Sequence, residues 1–136
     1  MRVIACLRRQ SAPGDSIFVW GSEPLIYFLT ERRPRTRFVS NLALVSPWSP
    51  PAWREELVRD LRASPPRYLV VARDDAVPLI AYTKWDSEEF LQVFPELAIL
   101  ISDFYEPVEN FENFVIYRMK DLPAAGDSAS RAPVPK

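Results

Sequence analysis

Residues 13–38 constrain the fold of this chain more than any other stretch of its sequence. They consist of a turn, a strand, a tight turn, a helix and a second extended segment, in the letters PGDSIFVWGSEPLIYFLTERRPRTRF. The apolar run at 17–20 is typical of a strand covered on both faces, and Gly21 permits a sharp turn after it. Ser22 can cap a helix, and Pro24 suits a first helical turn. The stretch therefore predicts one strand–helix unit of an open α/β sheet.

A second covered strand is predicted at residues 68–72, with the sequence YLVVA. An amphipathic helix is predicted at 51–63, between the two covered strands. A helix in this position indicates a right-handed crossover, so the strands at 16–20 and 68–72 should be parallel neighbours. A shorter parallel strand is predicted at 37–40. The predicted fold class is α/β, a three-layer Rossmann-like open sheet that is mostly parallel.

The remaining segments complete one predicted domain. Alternating apolar residues at 105–109 and 114–119 predict a C-terminal antiparallel β-hairpin. Residues 41–51 and 76–85 contain prolines among irregular patterns and are predicted to be loops. A single α/β domain is therefore expected over residues 1–121. Residues 122–136 are rich in Pro, Ala and Ser and predict a disordered tail.

The composition excludes several kinds of function. One Cys and no His leave no internal disulfide, no Cys/His zinc site and no Ser-His or Cys-His pair. The three glycines form no motif for a dinucleotide or a triphosphate. With the zinc site also excluded, neither a metal nor a cofactor is expected. A net charge of −1 gives no case for a nucleic-acid partner. Apolar runs of about five residues are far shorter than the roughly 20 that a transmembrane helix needs, so the chain is not expected to span a membrane.

Charged side chains follow the second covered strand at the point where it ends. The carboxyl ends of neighbouring parallel strands share one edge of a sheet, and open α/β sheets generally bind ligands there. The same residue types also cap helices and pair with one another, and this structural role is the more common one. The ligand-binding candidates at this edge are Trp20, Gly21, Ser22, Glu23, Arg73, Asp74 and Asp75.

A cluster of arginines follows the first predicted helix. Its members are Arg32, Arg33, Arg35 and Arg37. Such a cluster is most often an exposed connector, and its functional alternative is contact with phosphate or an anionic membrane surface. Charge is also uneven along the chain, because residues 1–67 hold 11 arginines and 6 acidic residues whereas residues 68–136 hold 6 basic and 12 acidic ones. Differently solvated faces explain this imbalance without a partner.

The order of these segments resembles a known family. The stretches PGDSIFVWGSEPLIYFLTERRPRTRF, WREELVRDLRASPPRYLVVARDD and FPELAILISDFYEPVENFENFVIYRM are similar to the C-terminal soluble domain of bacterial membrane glycosyltransferases of the protein-mannosyltransferase-like (GT-C) superfamily. The likeness spans about residues 3–119. The motifs that carry it, such as Val19-Trp20-Gly21, are structural.

The resemblance implies a non-catalytic accessory domain rather than an enzyme. In that family the donor is a polyprenyl-phosphate sugar, and the chemistry belongs to membrane helices that this sequence lacks. The implied partners are the transmembrane part of a parent glycosyltransferase and its lipid-linked sugar or membrane surface. The implied location is the extracytoplasmic face of a bacterial cytoplasmic membrane.

Two rival hypotheses use the same residues. One is a binding module for a small ligand or a protein, with no link to a transferase. The other is a free-standing enzyme that works through Asp74, Asp75 or Glu23. The first rival requires a pocket with convergent polar groups, and the second requires a strongly perturbed carboxylate in a closed cleft.

Overall fold

A computed structural model describes residues 2–120 of the chain. The predicted tail lies outside the described residues. The elements in chain order are α1 (Arg2–Gln10), β1 (Ser16–Trp20), α2 (Leu25–Thr30), β2 (Arg33–Pro34), α3 (Leu42–Val45), α4 (Pro51–Ala63), β3 (Tyr68–Ala72), α5 (Pro78–Ala81), α6 (Ser87–Phe90), a 3₁₀ turn (Leu91–Val93), α7 (Pro95–Phe104), β4 (Tyr105–Asn110) and β5 (Phe114–Met119).

The five strands form one mixed sheet in the order β2-β1-β3-β5-β4. The two covered strands are parallel neighbours as predicted, with Val19 opposite Val70. The hairpin is antiparallel as predicted, and β5 also pairs antiparallel with β3. Two of the four strand pairings are therefore parallel and two antiparallel, so the expectation of a mostly parallel sheet is correct only for β2, β1 and β3.

The side chains of β1 and β3 alternate between two apolar clusters, one on each face of the sheet. Phe18 and Trp20 pack in one cluster with Leu57 of α4 and Leu97 of α7. Val19 packs in the other, with residues of α1 and α2. All ten residues of these two strands are buried. Burial on both faces explains why their sequences are continuous apolar runs.

Three predicted segments differ from the structure. No strand forms at 37–40, where Phe38 N–H donates to Thr36 Oγ1 (2.9 Å) within a local turn. Strand β2 lies earlier, at Arg33–Pro34. The predicted loop at 41–51 contains helix α3, whose first turn is closed by bonds to the Asn41 carbonyl. Helix α5 interrupts the predicted loop at 76–85.

Candidate functional site

The carboxyl ends of β1 and β3 meet closely, as the sequence predicts. Trp20 lies opposite Val71 in the sheet register. A Cβ atom added to Gly21 would lie 2.6 Å from the Cβ of Ala72, which is closer than two carbon atoms can approach. Gly21 does not have a positive φ, so space rather than a sharp turn requires glycine here. The two strand ends are therefore in direct contact at Gly21 and Ala72.

Asp75 joins the end of β1 to the start of α6. Its Oδ1 accepts a hydrogen bond from Ser87 N–H (2.8 Å), and its Oδ2 accepts one from the Ser87 hydroxyl (2.7 Å). Oδ2 also lies 3.3 Å from Ser22 N and 3.5 Å from Ser22 Oγ. Ser22 therefore contacts Asp75, and the expectation that it caps a helix is wrong, since α2 has no side-chain cap. The carboxylate of Asp75 acts as a structural tie between three segments.

Trp20 and Asn41 complete this closed network. The indole Nε1 of Trp20 donates to the carbonyl of Ser87 (2.7 Å), and its ring packs edge-on against Phe94. Asn41 Nδ2 donates to Ser87 Oγ (2.9 Å), while Asn41 N–H donates to the carbonyl of Gly21 (3.0 Å). Trp20, Asn41 and Ser87 are all buried. A ligand would have to displace these contacts to reach Trp20.

Arg73 and Asp74 bond to residues outside this network. Arg73 forms an ion pair with Glu88 (3.0 Å) and donates to Asn110 Oδ1 (2.8 Å), which fixes it against the hairpin. Asp74 has a left-handed backbone (φ 55°), and its N–H donates to Asp86 Oδ2 (2.9 Å). Glu23 is half-buried before α2, and its carbonyl accepts a bond from Ile26 N–H (3.2 Å). The seven predicted ligand-binding residues therefore lie at one edge but do not converge on one point.

Two hydrogen bonds join the two ends of a loop over residues 76–85, and we call these joined ends its neck. Asp74 N–H donates to Asp86 Oδ2, and Ser87 N–H donates to Asp75 Oδ1. A capping box holds the far side of the neck, because Asp86 Oδ1 accepts from Glu89 N–H and Glu89 Oε1 accepts from Asp86 N–H (both 2.9 Å). Compact loops with adjoining ends are frequently functional. Sequence reasoning missed the buried partners Asn41 and Ser87, since neither lies in a recognisable motif.

The four predicted contact arginines occupy different environments. Arg32 is only 7% exposed, and its guanidinium donates to Ser11 Oγ, Ser11 O and Thr30 O. It binds the end of α1 rather than a surface partner. Arg33 and Arg35 are exposed near the edge strand β2, and Arg35 Nε donates to Ser16 Oγ (2.8 Å).

Arg37 is engaged by a neighbouring helix. It forms a two-bond ion pair with Glu56 (2.7 and 3.0 Å) and lies over the rings of Phe38 and Trp53. Its guanidinium holds the pKa of the Glu56 carboxyl below the usual range. Arg33 and Arg35 therefore remain the two members of the cluster best placed to meet an external phosphate.

Within residues 2–120, no group of three or more Cys, Asp and Glu side chains is arranged to hold a metal ion. Over the same range, no helix has the length and apolar character needed to cross a bilayer.

The structure is a mixed α/β domain. At the carboxyl edge of β1 and β3, the polar residues Ser22, Asn41, Asp75 and Ser87 hold neighbouring segments together. No protein-family model matches the sequence, and no curated protein matches it. The fold is similar to the crystal structure of the C-terminal globular domain of an oligosaccharyltransferase from Archaeoglobus fulgidus, with a TM-score of 0.50 and 12% sequence identity. The alignment covers 88% of this chain and 95% of that domain. At this identity the likeness is one of fold.

Proposed function

We propose that this chain is a non-catalytic globular domain of a membrane glycosyltransferase that uses a polyprenyl-phosphate sugar donor. The observation that carries the proposal is the fold, which matches nearly the whole length of a domain from an oligosaccharyltransferase. The family resemblance of the sequence points to the same class of parent protein. The domain would help to position an acceptor, a lipid-linked donor or a partner protein.

The contacts of Asp75 support an accessory rather than a catalytic role. Among the three carboxylates of the enzyme hypothesis, Asp75 accepts hydrogen bonds from Ser22 and Ser87 and so holds segments of the domain together. A general acid or base needs a carboxyl group that reaches a substrate atom. The same contacts weaken the alternative of a small-ligand module, because Asp75, Ser22, Ser87 and Asn41 form hydrogen bonds with one another.

The path of the chain supports an orientation toward the membrane. Helix α1 begins at the edge where β1 and β3 end, since Arg2 lies over the ring of Phe111 in the hairpin turn, 5.4 Å from its centroid. It ends at the opposite edge, where its Gln10 carbonyl accepts a bond from Tyr68 (3.0 Å). A membrane span preceding α1 would place the edge with the 76–85 loop nearest the bilayer. The extracytoplasmic side is the one that the family resemblance implies.

A deletion in the producing cell tests this proposal. The codons for residues 2–120 would be removed, and glycosylated products of polyprenyl-phosphate donors would be quantified in whole cells. We expect their amount to fall and to recover when the full chain is restored. An unchanged amount of every such product would contradict the proposal. The matched control restores the chain with Glu112→Ala, which alters one exposed carboxylate of the hairpin turn.

A further inference from the structure

We propose that the 76–85 loop inserts its apolar tip into the headgroup region of a neutral phospholipid bilayer. The inference rests on the proposed function for its biological setting, whereas the structural observations behind it do not depend on that function. The loop has the sequence AVPLIAYTKW, and Leu79 and Tyr82 at its tip are 91% and 73% exposed. Exposed apolar clusters of this kind mark membrane or protein contacts.

The loop is held in an outward-facing conformation. Its neck is closed by the bonds of Asp74 and Asp75 to Asp86 and Ser87. Inside the loop, Ala81 is buried in the core, whereas the next residue, Tyr82, has a left-handed backbone (φ 61°). Bulky residues rarely adopt this conformation, and strain of this kind concentrates at functional sites. The turn at Tyr82 brings the chain out of the core and leaves the ring in solvent.

A second segment adds an aromatic ring beside the loop. Trp48 is 61% exposed, and its neighbours Pro47 and Ser49 line one cavity together with Ala81 and Thr83. Trp85, at the end of the loop, is half-exposed and packs edge-on against Phe90. Trp and Tyr favour the boundary between lipid tails and water because each ring has a large apolar body and a polar end.

The charges around the loop select a neutral bilayer. Residues 76–85 hold one charged side chain, Lys84, which can meet a lipid phosphate. The neck beneath them is acidic, with Asp74, Asp86 and Glu89. A strongly anionic surface would be repelled by this neck, whereas a zwitterionic headgroup layer accepts both signs of charge. Contact through the loop should therefore depend on apolar insertion and change little with salt.

Another exposed apolar patch provides the matched control. Leu25 and Phe28 project from α2, with Phe28 76% exposed, and Arg33 lines the same groove as Phe28. The exposed arginines Arg33 and Arg35 outnumber the single acidic residue of this border, Glu31. Binding through the patch would therefore require anionic lipid and would weaken with salt. The two surfaces thus make opposite predictions about lipid composition.

Tryptophan fluorescence with protein-free vesicles tests the inference. On phosphatidylcholine vesicles at millimolar lipid, we expect the emission to shift to shorter wavelength and bromine-labelled lipid to quench it. Leu79→Ser/Tyr82→Ser should lower the partition coefficient about tenfold, equivalent to about 1.4 kcal/mol. Leu25→Ser/Phe28→Ser should leave it within about twofold, because these side chains are also exposed but lie on the other surface.

Three results would overturn the inference. They are no shift on phosphatidylcholine vesicles, an equal loss of binding in both double variants, and binding only to anionic vesicles that Arg33→Gln/Arg35→Gln abolishes. The first would assign the loop to a protein partner, and the third would assign membrane contact to the α2 patch. Because the vesicles hold neither sugar donor nor enzyme, a failure here leaves the proposed function to be judged by the deletion.

Discussion

Replacing Asp75 by alanine should destabilise the whole domain, because one carboxylate joins three segments. The substitution removes two short bonds to Ser87 and two longer contacts with Ser22. It also leaves the buried Ser87 hydroxyl and N–H without their acceptor. Hydrogen bonds to a charged group contribute about 1.5–3 kcal/mol each when buried, and buried donors without an acceptor add to the cost.

The net cost is smaller than a simple sum, because Asp75 is only partly buried and water can replace some of its bonds. The contacts at 3.3 and 3.5 Å with Ser22 add little. We therefore expect Asp75→Ala to lower the free energy of unfolding by about 2–3 kcal/mol, and the melting temperature by about 8–12 °C. Asp75→Asn should cost about half as much, since its carbonyl oxygen can still accept from Ser87 N–H.

Urea unfolding followed by tryptophan fluorescence measures this difference. The matched control is Glu112→Ala, which removes an exposed carboxylate and should change stability by less than about 0.5 kcal/mol. Hydrogen exchange at the Ser87 amide should also accelerate more in Asp75→Ala than exchange at residues of β1. The reasoning is refuted if Asp75→Ala is as stable as the control, or if the Asn variant loses as much as the Ala variant.

Three further stability predictions follow from individual contacts. Gly21→Ala should cost about 1–3 kcal/mol in urea unfolding, because its new Cβ would lie 2.6 Å from that of Ala72; an unchanged midpoint would contradict the close approach. Burial raises the pKa of Tyr27 to about 12, so only the unfolded chain ionises this tyrosine between pH 10 and 12. Stability should therefore fall as pH rises through this range, and a Tyr27→Phe variant that falls just as steeply would refute the assignment. Glu31→Gly should raise stability by about 0.5–1 kcal/mol, because Glu31 ends α2 with φ 57°; a lower urea midpoint would oppose this.

The central sheet could be predicted from the sequence because burial on two faces leaves a strong pattern. Strands β1 and β3 are continuous apolar runs separated by a helix with one apolar stripe, and few topologies satisfy both features. The hairpin at Tyr105–Asn110 and Phe114–Met119 was equally predictable from its alternation. Strand β2 could not be predicted, because a strand of two residues has no detectable alternation. The strand predicted at 37–40 was suggested by Phe38, which is apolar because it packs in the core.

The candidate site was predictable in position but not in role. Asp75 is a carboxylate at the carboxyl edge of the sheet, as expected of a residue that contacts a ligand. A carboxylate at the same position can equally accept hydrogen bonds that hold neighbouring segments together. Its partner Ser87 is 12 residues away, a spacing that no local motif records. Arg32 shows the same ambiguity. Four clustered arginines predict a surface patch, but the guanidinium of Arg32 is buried and donates to oxygen atoms of Ser11 and Thr30.

Reconstituted sugar transfer tests the central claim most directly. Initial rates of transfer from a polyprenyl-phosphate sugar would be compared in proteoliposomes that contain the membrane part of the parent glycosyltransferase, this chain, or both. We expect no transfer by this chain alone, and faster transfer by the combination than by the membrane part alone. Transfer by this chain alone, or equal rates with and without it, would contradict an accessory domain.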